Sequence, residues 1–191
     1  MKKFLIILFV FFGITPSSFS EIKRIVSGNK DAKITIIAYE SLTCSHCASF
    51  HKDIYPQLKK DYIDTGLAKI EFRHFPLDLA ALNAAKIAQC KSEKSLKILK
   101  SLYANQQAWV KGSTIEKVNE NLKRYIVDKG FDLDFEKCIK NQEIEDYILN
   151  DRIEGTKNFK VNATPTIIIN NKKFEKSLNY KNLKKTLEKL I

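Results

Sequence analysis

The feature that most constrains this chain is a Cys-x-x-Cys motif, Cys44-Ser45-His46-Cys47, directly after a run of apolar, mostly β-branched residues at 34–39. Such a run is typical of a buried strand, and helical spacing follows the motif. The two sulfurs could close a small disulfide across one helical turn. Cys44 would lie at the helix N-terminus, where free backbone N–H groups and the helix dipole stabilise a thiolate. A positive charge on His46 would act in the same direction. The motif therefore predicts redox-active sulfur chemistry with an easily reduced disulfide.

The first twenty residues have the pattern of a secretory signal peptide. Lys2 and Lys3 are positively charged, residues 4–14 are apolar apart from one glycine, and Ser18 and Ser20 offer small side chains to a signal peptidase. The alternative is an uncleaved membrane anchor, but about 20 apolar residues are needed to span a bilayer and this run is shorter. We expect cleavage after Ser20 and export of residues 21–191 to the periplasm.

The formal charge of the chain is +11, which raises the question of nucleic-acid binding. Only four of the 33 basic residues are arginines, and the lysines are dispersed among acidic and amide side chains on what should be solvated helix faces. Exposed aromatic residues are not interleaved with them, as a nucleic-acid surface would need. We therefore expect no nucleic-acid partner, and at most a basic surface that favours acidic partners or membrane surfaces.

Four cysteines complete the redox pattern, since disulfides persist in an oxidising compartment and four cysteines allow three pairings. The local pairing joins Cys44 with Cys47 and leaves Cys90 and Cys138. Both of these lie in stretches of helical apolar spacing, so both could face one helical core. A disulfide between them would close a loop of about fifty residues, worth about 4 kcal/mol in the chain-entropy model. The alternative is two buried free thiols, which an oxidising compartment disfavours.

Strand and helix patterns follow one another along the chain in a specific order. Strands are predicted at 21–25, 34–39, 68–75, 166–169 and 172–174, the last two joined by a turn at 170–171. Helices are predicted at 48–62, where Pro56 should kink the helix, throughout 76–159, and at 179–191. The predicted architecture is therefore α/β, with a block of helices between the third and fourth strands.

This order resembles the DsbA family of exported thiol:disulfide oxidoreductases, which have a thioredoxin-like fold with an inserted helical domain. Four segments carry the resemblance: the motif with the strand end before it (39–47), the junction at 72–78, the second cysteine pair, and residues 161–166. The resemblance implies a central mixed β-sheet flanked by helices. It assigns a thioredoxin-like domain to 21–76 plus 160–191 and an all-helical insertion to 77–159.

The resemblance also implies a second half of the redox site, at Thr164-Pro165. Most X–Pro bonds in folded proteins are trans. In thioredoxin-like proteins, however, the corresponding proline follows a cis bond and lies against the active-site disulfide. Thr164 would then contact both the cysteines and an extended substrate segment.

Two positions depart from the pattern of the family. Ser45 stands where the best-known oxidases have proline, which affects the redox potential. Ala38 stands where family members commonly carry an acidic residue, six positions before the first cysteine. Glu40 shares a strand face with position 38. It is predicted either as a buried proton acceptor below Cys47 or as an ordinary, partly exposed edge residue.

The mechanism implied by the resemblance is donation of the Cys44–Cys47 disulfide to unfolded exported proteins. A client thiolate would attack Cys44, with Cys47 as its buried partner and His46 stabilising the Cys44 thiolate. A membrane protein of the DsbB kind would reoxidise the pair, and no cofactor or metal is implied. A monomer is favoured because residues 21–33 are too few for an added dimerisation segment.

Three alternative functions stay open. A disulfide isomerase or reductase would use the same fold and motif. An exported zinc-binding protein could use the motif with His51, but a structural zinc site needs a second local pair, which Cys90 and Cys138 do not form. An exported peptide-binding protein with purely structural cysteines would leave Thr164-Pro165 unexplained. Apart from the zinc alternative, His51 is predicted to be a surface or packing residue.

Overall fold

The computed structural model describes residues 22–191, so the predicted signal peptide and its cleavage site lie outside the described residues. Within these residues, five strands form one mixed sheet in the order β1-β3-β2-β4-β5. The β2–β3 pair is parallel, and the other neighbours are antiparallel. The strands are β1 (Ile25–Gly28), β2 (Ile34–Glu40), β3 (Ala68–His74), β4 (Thr166–Ile169) and β5 (Lys172–Lys173).

Helices account for most of the remaining chain, and six of them follow one another between β3 and β4. The helices are α1 (Ser45–Ser49), α2 (Tyr55–Leu58), α3 (Leu79–Gln89), α4 (Ser95–Ala104), α5 (Gln106–Trp109), α6 (Ile115–Asp128), α7 (Phe135–Ile139), α8 (Gln142–Phe159) and α9 (Tyr180–Leu187). The predicted α/β class, with a mixed sheet and a long helical interruption, is confirmed. The boundaries of the two domains stay a prediction.

The central strand β2 positions the Cys-x-x-Cys motif. It lies between β3 and β4, and every residue except Thr35 is buried, as its nearly continuous apolar sequence predicts. The chain leaves β2 at Glu40 and enters α1 five residues later. The Cys-x-x-Cys motif therefore lies at the carboxyl end of the central strand, the edge where open α/β sheets bind their ligands.

The first strand begins later than the sequence predicts. Residues 21–25 were expected to form it, but the ladder with β3 starts only at Ile25. The residues just before it are held by side chains of the helical block instead of by strand pairing. Gln89 donates to the carbonyl oxygen of Lys23 at 2.6 Å, and Arg24 pairs with the buried carboxylate of Asp151.

The helix after the motif begins at Ser45, three residues earlier than predicted, and it is irregular around Pro56. Pro56 has no N–H to donate within the helix. The turns on either side of α2, at Phe50–Ile54 and Lys59–Ile63, are π-helical. The helix therefore has widened turns on both sides of α2, and the kink predicted at Pro56 stays a prediction.

The turn between the last two strands forms where the sequence predicts it. Asn170 and Asn171 both have positive φ angles, 45° and 63°, a conformation that asparagine adopts more readily than most residues. The last helix is shorter than predicted: Asn179 is its N-cap, and the regular helix ends at Leu187.

Among residues 22–191, no helix has the length and apolar character that crossing a lipid bilayer requires.

The second cysteine pair lies in the helical block. Cys90 is the C-cap of α3 and Cys138 lies in α7, and a disulfide joins them across a Cα–Cα distance of 5.6 Å. This pairing is one of the two arrangements considered from the sequence. The crosslink ties α3 to α7, two helices that also pack against each other.

Candidate active site

Cys44 closes the short loop after β2 and forms the N-cap of α1. Its backbone N–H donates to the carbonyl oxygen of Ser41 at 3.0 Å, and its own carbonyl oxygen accepts from the N–H of Ala48 at 3.2 Å. Cys44 is partly buried, whereas Cys47, one turn later, is completely buried. Both residues are thiols in this structure. The sulfur that another molecule can reach is therefore that of Cys44.

Several donors around Cys44 lower the pKa of its thiol to about 5. The largest contribution is a hydrogen bond from the Cys47 thiol, and Thr164 and the backbone N–H groups of Cys47 and His46 add to it; partial burial opposes the shift. His46 thus acts here through its backbone, while its side chain is exposed. The stabilising role predicted for its ring stays a prediction.

Cys47 is shifted in the opposite direction. Burial raises the pKa of its thiol well above the ordinary value, and the hydrogen bond to Cys44 and the negative charge of Glu40 act in the same sense. At neutral pH the pair therefore consists of a thiolate at Cys44 and a neutral thiol at Cys47.

Glu40 is buried below this pair, with only 4% of its surface exposed. The alternative prediction of a partly exposed edge residue is wrong. Oε2 of Glu40 is 2.8 Å from Nε2 of His51, and the neighbouring Tyr103 also acts to lower the pKa of the carboxyl group. Burial raises the pKa of Glu40, and the neighbouring His51 opposes the shift. A buried carboxyl group with a raised pKa is a suitable proton carrier near neutral pH.

His51 and Tyr103 were not recognised from the sequence as parts of this cluster. The ring of His51 is stacked on that of Tyr103 with 4.1 Å between centroids, and only 6% of the His51 side chain is exposed. The packing role predicted for His51 is present, but the hydrogen bond to Glu40 adds a polar role. The spacing offered one signal for it: His51 lies four residues after Cys47, on the same helix face.

Thr164 and Pro165 lie on the other side of the cysteines. The peptide bond between them is cis. In the thiol form, the S–H of Cys44 donates to the carbonyl oxygen of Thr164 at 3.3 Å. The structure thus brings together Cys44, Cys47 and the Thr164-Pro165 segment, which are about 120 residues apart in the sequence.

The helical block also holds the loop that carries Cys44. Gln106, at the start of α5, donates from its side-chain amide to the carbonyl oxygens of Leu42 at 2.8 Å and Cys44 at 3.0 Å. On the outer side of the loop, the hydroxyl of Thr43 donates to Asp78, the N-cap of α3, at 2.7 Å. Local sequence gave no signal for Gln106, because its role depends on the packing of α5 against a loop about 60 residues earlier.

Metal binding was one of the open alternatives. Across residues 22–191, no group of three or more His, Cys, Asp or Glu side chains is arranged to hold a metal ion. His51, the histidine considered as a ligand with the motif, is instead bonded to Glu40.

Known proteins resemble the chain over most of its length. Residues 20–189 match the family described as thioredoxin. The crystal structure of Wolbachia pipientis alpha-DsbA1 is similar with a TM-score of 0.78 and 30% sequence identity, over 87% of this chain and 90% of that one. Disulfide bond formation protein D of Bacillus subtilis is 26% identical over 176 residues, which cover 86% of this chain and 75% of that protein.

A longer relative comes from Rickettsia bellii and is named as a protein-disulfide oxidoreductase. It is 30% identical over 152 residues, which cover 76% of this chain. The chain spans about half the length of that relative, 56%. The match over residues 20–189 and the likeness to alpha-DsbA1 together establish that the chain belongs to the thioredoxin family and, within it, to the DsbA-like proteins.

Proposed function

We propose that this protein is a thiol:disulfide oxidoreductase that donates its Cys44–Cys47 disulfide to exported proteins in the periplasm. The observation that carries the proposal is the unequal placement of the two sulfurs. Cys44 is accessible beside Thr164-Pro165 and has a lowered pKa, and Cys47 is buried behind it with a raised one. A disulfide is a good oxidant when its reduced form is stabilised, and a Cys44 thiolate supplies that stabilisation.

The reaction begins from the oxidised pair. A client thiolate attacks the sulfur of Cys44, the Cys44–Cys47 bond breaks, and Cys47 leaves with the bonding electrons and takes up a proton. A second client thiolate then attacks the client sulfur of the mixed disulfide, and Cys44 leaves as a thiolate. The client gains one disulfide and loses two electrons, which the enzyme pair keeps in its reduced state.

Glu40 is the proton carrier for Cys47 in this proposal. Cys47 is buried and its thiol has a raised pKa, so it needs a proton when it leaves and an acceptor when it attacks. The buried carboxyl group of Glu40 is the acid whose charge acts on Cys47; His51 hydrogen-bonds to it, and Tyr103 stacks on the ring of His51. His46 and Ser45 would tune the Cys44 thiolate from the exposed side of the motif.

The partners of the reaction follow from the compartment. Residues 1–20 would direct export, the clients would be unfolded exported proteins with cysteines, and a membrane partner of the DsbB kind would return the pair to the disulfide. We propose that the enzyme acts as a monomer, with Cys90–Cys138 as a structural disulfide outside the reaction.

The test is oxidation of a dithiol peptide by stoichiometric oxidised protein, followed by equilibration with glutathione buffers. We expect rapid peptide oxidation and an oxidising potential, with all exchange lost in Cys44→Ser. Full peptide oxidation by Cys44→Ser would refute the proposal. A strongly reducing potential, or faster repair of a scrambled disulfide protein than oxidation of a reduced one, would favour the reductase or isomerase alternative instead.

A further inference from the structure

The helix that begins at Ser45 separates two clefts, one on each of its sides. Ser45, Ala48 and Lys52 follow one another at helical spacing and line a cleft toward α4 and α5, called here the insertion-side cleft. On the other face, the proline-side cleft is lined by residues of the same helix turns together with the loop of the cis proline: His46, Phe50, Asp53, Thr164 and Pro165.

The insertion-side cleft is basic. It has a volume of about 550 Å³, and Lys52 and Lys100 enter it from opposite walls, the first from the helix of the motif and the second from α4. Among the described residues that line it, none is acidic. Neither lysine has an ion-pair partner within residues 22–191, although Lys100 lies 5.7 Å from the ring centre of Tyr55. The two cations are therefore available to a ligand.

The inner wall of the same cleft contains two buried polar side chains. His51 and Tyr103 line it. Nε2 of His51 faces Glu40, which leaves Nδ1 as a buried nitrogen without a hydrogen-bond partner in the described part of the chain. Buried polar atoms without a hydrogen-bond partner are rare in native proteins, so each one requires an explanation. The proline-side cleft differs, since its ionisable wall residue beside His46 is the acidic Asp53.

We propose that the insertion-side cleft binds an acidic side chain of the peptide segment that exchanges disulfides with Cys44. The proposal rests on the proposed function, because Ser45, at the mouth of this cleft, is the neighbour of Cys44. From Ser45 to Lys52 the helix advances about 10 Å, which an extended peptide covers in about three residues. The site therefore recognises Asp or Glu about three residues from the client cysteine.

The test compares single-cysteine peptides that carry Glu, Gln or Lys three residues from the cysteine. The rate of mixed-disulfide formation with oxidised protein is divided by the rate of each peptide with a small-molecule disulfide, which corrects for the reactivity of its own thiol. We expect the Glu peptide to react about fivefold faster than the Gln peptide, and the Lys peptide more slowly, because the contacts with two exposed lysines are lost or reversed.

Charge-neutral variants then locate the effect. In Lys52→Gln/Lys100→Gln the Glu-to-Gln ratio should fall to about one. The control is Lys140→Gln/Lys157→Gln, which makes the same change in net charge at exposed lysines near the C-terminal ends of α7 and α8. This variant should keep the Glu-to-Gln rate ratio of the unmodified protein. Moving the Glu to six or more residues from the cysteine should also abolish the preference.

Two results would overturn this inference while leaving the proposed function intact. One is equal reaction of the three peptides with the unmodified protein. The other is a Glu preference that persists in Lys52→Gln/Lys100→Gln or falls equally in the control pair. Absence of mixed disulfide with any peptide is a different result, which would overturn the proposed function and this inference with it.

Discussion

One cysteine of each pair caps a helix, but at opposite helix ends, and the two pairs also differ in state. Cys44 is the N-cap of α1, where unpaired N–H groups point at its sulfur. Cys90 is the C-cap of the eleven-residue α3, where unpaired carbonyl oxygens and the negative end of the helix dipole disfavour a thiolate. Its partner Cys138 is almost fully buried in α7. The first pair is present as two thiols and the second as a crosslink.

This difference fits the two roles that the proposed function assigns, a reactive pair at Cys44 and Cys47 and a structural pair at Cys90 and Cys138. Exchange requires one accessible sulfur that leaves easily and one that is protected, which Cys44 and Cys47 provide. A stable crosslink requires no stabilised thiolate on either side. Position on a helix therefore separates the two chemistries more clearly than the distance between cysteines in the sequence.

The prediction with the largest expected effect concerns the removal of each cysteine pair in turn. Cys44→Ser/Cys47→Ser should lose all disulfide exchange. Cys90→Ser/Cys138→Ser should keep exchange but lose about 4 kcal/mol of unfolding free energy, because the crosslink closes a loop across a separation of 48 residues. Peptide oxidation and urea unfolding of both variants provide the two measurements. Loss of exchange in a Cys90→Ser/Cys138→Ser variant that is still folded would show that the second pair takes part in the reaction, and would contradict the comparison.

A second prediction concerns pH. The pKa of Cys44 is about 5 in the fold and about 8.5 in an unfolded chain, so ionisation stabilises the reduced fold. This stabilisation is fully present above about pH 8.5 and is lost as the pH falls through about 5. Urea unfolding of the reduced and oxidised protein should show the reduced form gaining stability over that range. The ultraviolet absorbance of the thiolate should titrate with the same midpoint.

The potential of the pair should follow the same ionisation. Between the two thiol pKa values, reduction takes up two electrons and one proton, so the potential should fall by about 30 mV per pH unit; below about pH 5 a second proton is taken up and the slope should double. Cys44→Ser is the control for the absorbance change. A thiolate midpoint near 8.5 would make Cys44 an ordinary cysteine and remove the contrast with Cys90.

The reactive pair was more predictable from sequence than its surroundings, for a physical reason. Only two residues separate Cys44 from Cys47, and the strand before them is marked by six apolar or β-branched residues, so local patterns suffice. The sequence pattern assigns Glu40 to a strand face, but it does not predict whether the Glu40 side chain is buried or exposed. Burial of Glu40 depends on Tyr103 and its neighbours in the helical block, and the position of that block is set by tertiary packing that no local pattern encodes.

The third prediction concerns Glu40, the buried acid beside the reactive pair. The acids close to the second pair, Asp134 and Glu143, are exposed instead. In Glu40→Gln, Cys47 has no proton acceptor when it attacks a mixed disulfide at Cys44, so release of the bound peptide should slow about tenfold at neutral pH. The slowing of release is limited to about this size because loss of the Glu40 charge also lowers the pKa of Cys47, which makes its thiol easier to deprotonate.

Single-turnover release of a peptide from the mixed disulfide measures this step. Glu116→Gln, a change at an exposed acid of α6, is the matched control and should release at the original rate. Faster release in Glu40→Gln would mean that Glu40 acts on Cys47 only through its charge. The reactive pair would then differ from the structural pair by its electrostatics alone.

The smallest predicted effect concerns Gln106, which connects the helical block containing the second pair to the loop of the first. Its side-chain amide is the donor to the carbonyl oxygen of Leu42, while the carbonyl oxygen of Cys44 also accepts from Ala48. Gln106→Leu should therefore leave one buried carbonyl oxygen without this donor and lower the unfolding free energy by about 1 kcal/mol. Gln107→Leu, at the exposed neighbouring position, should change it by less than about 0.5 kcal/mol. Equal losses in the two variants would show that α5 supports the Cys44 loop by packing alone, and that the helical block contributes to the reactive pair no more specifically than it does to its own disulfide.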